Sequence, residues 1–426
     1  GETVSFSITG APSGASGQGL SSASATTDGN GRASVALTLG DKTGPYEVTA
    51  SASGLSDVVF AATATAGPAS QLAFTAQPTD ARAGQTLGDV TVQLRDQYGN
   101  AVASAGTDVS LSISDGATLN GTATAQTGGS GQATFSDLSV EEAASGYALT
   151  ASSSGLSNAT STAFAITPGP ADASNSTITA GTNSLTADGS SRATITVQLT
   201  DAFGNDLTSG GDDVGLSTDA GTISGVTGSE DGTYEATLTA STNASETATI
   251  SGTVNSNPIG DQATVDFVPG AADAVTSGAI SSPQTAGQPF GVDLAVEDAS
   301  GNEVSSFSGD LSLSLAKGSS ITPSTVTLES SSQTVQVELA DAATAEEITA
   351  TAVRDNSISG TSNTFDVEAG AASTLAINGG DGQSGQVTST LSSALEVKVT
   401  DAEDNPVSGE TVSFSITGAP SGASGQ

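Results

Sequence analysis

Carboxylates and side-chain amides recur beside short turns in this chain, and their chemistry is that of hard oxygen ligands. Asp28 with Asn30, Asp212 with Asp213 and Glu230 with Asp231 are such groups, and oxygen donors of this kind suit calcium. The same residue types are turn formers, and surplus carboxylates make a solvated face. No segment has the ordered ligand spacing of a helix–loop–helix calcium loop. Structural calcium is therefore possible, turn formation is the other reading, and the metal ligands stay unknown. No other cofactor is implied.

Catalytic chemistry is hard to assemble. The sequence holds no Cys, His, Met or Trp, which removes the thiolate nucleophile and the commonest general base. Carboxylate pairs of the kind that hydrolyse glycosides are abundant among 46 acidic residues, so no single pair is informative. The Gly-rich run Thr127–Gly131 lacks the Lys-Ser/Thr ending and the following helix of a phosphate loop, and reads as a hairpin turn. No catalytic or cofactor-binding residue is assigned. Asn120, Asn158, Asn175 and Asn243 head Asn-x-Ser/Thr sequons, a common accident in a Ser/Thr-rich chain. Lys398 stands between Val397 and Val399, so alternation points it outward into solvent rather than into a cross-link. Tyr46 and Tyr147 are placed to act as the corner tyrosines of β-sandwiches.

The elements that must position these groups are strands. Apolar residues alternate with polar ones in Val90/Val92/Leu94, Ile195/Val197/Leu199, Val292/Leu294/Val296 and Leu395/Val397/Val399. Such a period of two marks a strand with one buried face. Each run leads into a turn: Asp96–Asn100, Asp201–Asn205, Asp298–Asn302 or Asp401–Asn405. Gly and Asn there tolerate the positive φ of tight hairpins. Outgoing strands follow, as in Val4/Phe6/Ile8, Val109/Leu111/Ile113, Val214/Leu216 and Leu311/Leu313/Leu315. After the turn at Asp28–Gly31 comes a further alternating run, Ala33/Val35/Leu37/Leu39. No sustained helical period occurs, and only Asp341–Glu347 is weakly helical. This periodicity argues against disorder despite an aromatic content of 4%. Short strands with a turn about every ten residues predict an all-β chain of antiparallel sandwiches.

Internal repetition sets the organisation. GETVSFSITGAPSGASGQ fills residues 1–18 and recurs unchanged at 409–426, a period of 408 residues (409 minus 1). The reading preferred is one period of a longer tandem array, with duplication of the ends for a purpose as the other. Gly67, Gly169, Gly270 and Gly370 lie in Gly/Pro/Ala-rich linkers spaced by 102, 101 and 100 residues. Closing the circle from Gly370 to the next copy of Gly67 gives 105. The expected organisation is four Ig-like units per 408-residue period. Residues 1–67 would be the C-terminal part of one unit, 68–169, 170–270 and 271–370 three whole units, and 371–426 the N-terminal part of a unit completed by the next repeat.

The segment running from Ser373 through the repeat into Gly54 contains LEVKVTDAEDNPVSGETVSFSITG, ATTDGNGRASVALTL and YEVTASASG. In that order it resembles the bacterial immunoglobulin-like domain, group 1, of invasin- and intimin-type adhesins. The other units are looser versions, and 271–370 departs most, with Ser330–Gln333 where a Gly-rich turn is expected. The resemblance implies an extracellular, cell-surface structural role as a rigid spacer in a stalk or fibre.

Charge bounds the partners. Eight basic residues stand against 46 acidic ones, a net charge of −38. Nucleic acid and acidic membranes are thereby excluded as electrostatic partners, and no run of apolar residues is long enough to span a bilayer. The expected partner is the chain itself, through covalent tandem repeats or by head-to-tail and lateral association. Strand addition between chains into a noncovalent filament, and a ligand-binding adhesin module, are the alternatives. With strands of about 6–8 residues at ~3.3 Å each, one period of end-to-end sandwiches would span on the order of 150 Å.

Overall fold

A computed structural model describes residues 1–318 and 320–421. Every regular element among them is a β-strand. Among these residues no helix is long and apolar enough to cross a membrane. Three separate hydrophobic cores follow one another along the chain, built from residues between Leu72 and Ile166, between Ile178 and Phe267, and between Val275 and Val367.

The first of these shows how alternation becomes a sandwich. Val90, Val92 and Leu94 of the strand Val90–Arg95 are fully buried, and each contributes about 1.5–3 kcal/mol by leaving water. That strand lies between Gln132–Phe135 and Gln71–Ala76 in one sheet. The facing sheet runs Thr124–Gln126, Asp108–Ile113, Leu149–Ser152, Ala159–Thr160. Residues 147–151 are divided between two strands. Ala144–Tyr147 pairs with Phe164–Thr167, and after Ala148 the chain crosses to the facing sheet as Leu149–Ser152.

The second core lies between a sheet centred on Arg192–Gln198 and Thr233–Thr239 and one centred on Ala263–Val268 and Thr247–Val254. In the third, the two sheets join through one parallel contact, Ala274 opposite Ser359. Gly360 makes this possible, since a Cβ there would collide with the Val275 carbonyl. Asp341–Glu347, the weak helical candidate, contains the strand Ala343–Glu346 instead. It pairs with Phe365–Glu368 across a register shift, so tertiary pairing overrides the local Ala/Glu propensity.

The two flanking segments are built differently. Residues 1–67 form a four-stranded sheet, Ser24–Thr26, Thr3–Gly10, Gly44–Ser51, Val58–Ala64. Residues from 371 onward form the hairpin of Thr374–Gly379 and Glu396–Thr400. The repeated eighteen residues thus differ in structure between their copies. Thr3–Gly10 is a strand with Phe6 buried, whereas 411–418, of identical sequence, has no assigned strand and leaves Phe414 59% exposed. The difference is the neighbour: the first copy has Gly44–Ser51 beside it. Residues 422–426 of the second copy lie outside the described residues. The alternating run at 33–39 is regular only at Leu37–Thr38.

Candidate functional site

The four turns from Asp to Asn are the sites where one unit meets the next. Each begins with a buried aspartate: Asp96, Asp201, Asp298 and Asp401 are 1–6% exposed. The hairpin closes by hydrogen bonds between the ends of the turn, as where Asp201 N–H donates to the Asn205 carbonyl and Gly204 N–H to the Asp201 carbonyl. Gly204 has φ +84°, as do Gly99 and Gly301 nearly, at +81° and +82°. The fourth turn places Asp404 there at +68°.

Within the turn the aspartate accepts several donors. At Asp201, Oδ1 accepts from the N–H of Phe203 and of Asn205 at 2.9 and 3.0 Å. Oδ2 accepts from Asn205 Nδ2 at 2.9 Å and from the linker Gly169 N–H at 2.7 Å. The linker glycines Gly67, Gly270 and Gly370 donate in the same way to Asp96, Asp298 and Asp401, at 3.1, 2.7 and 2.7 Å. The carboxylate therefore ties the linker to the hairpin.

The asparagine completes the junction by gripping backbone of the preceding unit. Asn205 donates to the Glu141 carbonyl at 2.7 Å and accepts from Ala143 N–H at 2.8 Å. Asn100 does the same with Asp41 and Thr43, at 2.9 and 3.2 Å. Asn405 grips Ala340 and Ala342 at 2.7 and 2.8 Å. Each of these asparagines meets the carbonyl of one residue and the N–H two residues on, as a neighbouring strand would. Asn302 is the exception, spanning two loops: it donates to the Ala187 carbonyl at 3.4 Å and accepts from Ala244 N–H at 2.9 Å.

Electrostatics keep the clamp ionised. Burial is the largest single influence on each of the four carboxyls and raises its pKa, but the surrounding N–H donors together outweigh it. All four end below the ordinary value of 3.8. A carboxylate accepting several amide donors is stabilised in its charged form.

The sequence placed Asp and Asn in tight turns and left their reach across the junction unread, because a turn signal carries no information about what lies beyond the linker. Its other candidates are dispersed. Asp28 Oδ1 accepts from Asn30 N–H and Arg32 N–H at 2.9 Å each, and Asp212 accepts from Asn255 Nδ2 at 2.7 Å. Asp231 caps Thr233. Among the described residues no three His, Cys, Asp or Glu side chains stand close enough together to hold a metal ion. Lys398 is exposed. Tyr46 and Tyr147 are buried, and their hydroxyls donate to the carbonyls of Lys42 and Glu142 at 3.0 and 3.3 Å.

The family model of invasin, domain 3, matches residues 172–270, rather than the segment across the repeat where the sequence motifs are fullest. No curated protein sequence matches the chain. Among solved structures it is similar to invasin, described as a bacterial integrin-binding protein, at 23% identity and a TM-score of 0.38, covering 73% of this chain and 62% of that one. It is also similar to the Escherichia coli adhesin FdeC, at 20% identity and a TM-score of 0.39, covering 72% and 100%. Yersinia pseudotuberculosis InvD gives 21% identity and a TM-score of 0.35, covering 55% and 72%. The chain thus spans a little under two thirds of the invasin structure. Residues 172–270 are an Ig-like domain of the bacterial adhesin type, and the β-sandwiches on either side of it carry the same Asp-to-Asn hairpin.

Proposed function

We propose that this chain is a spacer segment of a long extracellular stalk or fibre, four Ig-like units to a 408-residue period, extending from a cell surface. The carrying observation is the clamp repeated at four successive junctions, in which Asp binds the linker Gly and Asn binds the preceding unit. A flexible string of domains has no need of such contacts, since relative motion is the default where interfaces are small and polar. Four fixed junctions in a row make reach proportional to copy number. The net charge of −38 supports the same role, because it keeps neighbouring fibres apart in solution. The task is mechanical, and no catalytic or cofactor role is proposed.

Small-angle X-ray scattering on the chain tests this. The wild type should be elongated with a narrow spread of conformations. Replacing Asn100, Asn205, Asn302 and Asn405 together by Ala should leave the sandwiches folded and broaden the distribution of lengths. A wild-type chain as flexible as the variant would refute the spacer reading.

A further inference from the structure

In each of the three sandwiches that carry a hydrophobic core, a short early strand runs parallel to the last strand. Ala81–Arg82 lies beside Phe164–Thr167, Ser184–Thr186 beside Ala263–Val268, and Gln284–Thr285 beside Phe365–Glu368. The closing bond of each pair is the same. The N–H of Ala83, Ala187 and Ala286 donates to the carbonyl of Thr167, Val268 and Glu368 in turn, each at 2.9 Å. Those acceptors stand two residues before the linker glycines Gly169, Gly270 and Gly370. The three alanines are 0–4% exposed, so water has little access to these bonds. Further bonds fasten the individual pairs. Ala165 N–H donates to Asp80 Oδ1 at 2.7 Å, Asp266 N–H to the Asn183 carbonyl at 2.9 Å, and Asp366 N–H to Ser282 Oγ at 2.9 Å.

Parallel pairing decides how tension reaches these bonds. A pull on one unit enters at its first residues and leaves through the linker that follows its last strand. The short strand is the last hold on the incoming chain before the load reaches the strands behind it. Both strands point the same way, so the short one is drawn back toward the preceding unit while its neighbour is drawn forward toward the next. The bonds that cross between parallel strands are then sheared together instead of opening one after another.

We propose that these parallel pairs are tensile locks, which make the chain a load-bearing tether as well as a spacer. The breaking force of each unit is set where its early and last strands meet. This deepens the stalk reading and rests on it for the source of the load. The locks lie within units, however, whereas the proposed stiffness comes from clamps between units. The succeeding unit also braces the downstream end of each lock. A Cβ on Gly84 would strike the Phe203 ring, one on Gly287 would meet the Glu403 side chain, and Asn302 donates to the Ala187 carbonyl.

Single-molecule force measurement on the full chain tests the locks. Pulled by its ends, the chain should give three high-force events, each lengthening it by roughly 300 Å as about a hundred residues straighten. Pulling direction supplies a comparison that leaves the lock intact. In a chain without native cysteine, Thr182→Cys with Thr264→Cys attaches handles to two exposed residues. These positions continue the register of Ser184 with Asp266 at its upstream end. Force across these handles opens the same bonds in turn. The middle unit should then yield at about half its axial force or less, because two or more bonds no longer share the load. Asp266→Pro removes a donor to the short strand. It should move one of the three axial events to lower force and leave the other two in place. Equal force in both directions would overturn the proposal, as would an Asp266→Pro unit that keeps both its full length and its force. If that unit instead fails to fold and its event is lost, the comparison of directions decides. Scattering reports on the junctions alone, so a flexible but strong chain, or an elongated but weak one, separates the locks from the spacer reading.

Discussion

Tyr147 and Asn205 hold the same stretch of backbone from two different units. The tyrosine hydroxyl donates to the Glu142 carbonyl, and the asparagine takes the Glu141 carbonyl and the Ala143 N–H on either side of it. Tyr46 and Asn100 repeat the arrangement around Lys42. The sandwich thus stiffens from within the loop that its successor grips, which joins core packing to junction geometry.

The junctions should not be equally stiff. Asn405 makes its two contacts at 2.7 and 2.8 Å, whereas the longer contact of Asn302 is 3.4 Å and bridges separate loops. Asn405→Ala is expected to widen the distance distribution between spin labels placed across its junction more than Asn302→Ala does across its own. Equal widening would contradict this ranking.

Acid should release the clamps. The folded pKa of Asp201 lies below its ordinary value of 3.8. Its contribution to stability is therefore complete above that value and disappears as pH falls through the lower folded pKa. Asp201→Asn turns a donor toward Gly169 N–H or Asn205 Nδ2 and should cost about 1–3 kcal/mol at neutral pH. The gap in melting temperature between wild type and variant should narrow below pH 3.8. A gap that is constant with pH would show that the charge is not what matters.

Gly204 separates backbone strain from crowding. A Cβ there meets nothing within 4 Å, yet its φ is +84°. Gly204→Ala should cost about 1–2 kcal/mol through the left-handed backbone alone, read as a lower midpoint in urea. Asp404→Gly, at the equivalent position, should move stability the other way.

Glu346 takes the place of the corner tyrosine in the third sandwich: it lies opposite Phe365 as Tyr147 lies opposite Phe164. The chemistry is reversed. Fully buried, its carboxylate accepts from the N–H of Lys317, Gly318 and Glu347 at 2.9, 2.6 and 3.0 Å. Glu346→Ala should strand these donors and cost about 2–4 kcal/mol by thermal or chemical unfolding, with Glu346→Gln recovering part of it.

Divalent ions should act only through screening. The turn carboxylates already accept backbone and amide donors, and no acidic triplet gathers among the described residues. Melting temperatures in EDTA and in calcium should agree at matched ionic strength, while added sodium chloride raises both by shielding the charge of −38. A calcium-specific rise would favour the metal reading.

Alternation made most strands legible, because burial of one face is written directly in residue type. Val90, Ile195 and Val292 all lie inward as their period requires. It failed where pairing depends on distant chain. Ala33–Leu39 alternates yet is regular only at Leu37–Thr38, and 411–418 has no strand although the same letters form one at Thr3–Gly10. The candidate site was half legible. The Asp that opens each turn, followed by Gly in three of the four, announces a hairpin, but an asparagine that bonds to another unit's backbone looks in sequence like any turn residue.

Because every asparagine grips only a carbonyl and an N–H, the residues it touches are free to differ: Asp41 and Thr43, Glu141 and Ala143, Ala340 and Ala342. At these three junctions the asparagine contact does not depend on the side chains of the unit that stands before it. Units of this kind can be deleted, duplicated or reordered by recombination without redesigning their contacts, so length can change in whole steps while the mechanics of each joint stay the same.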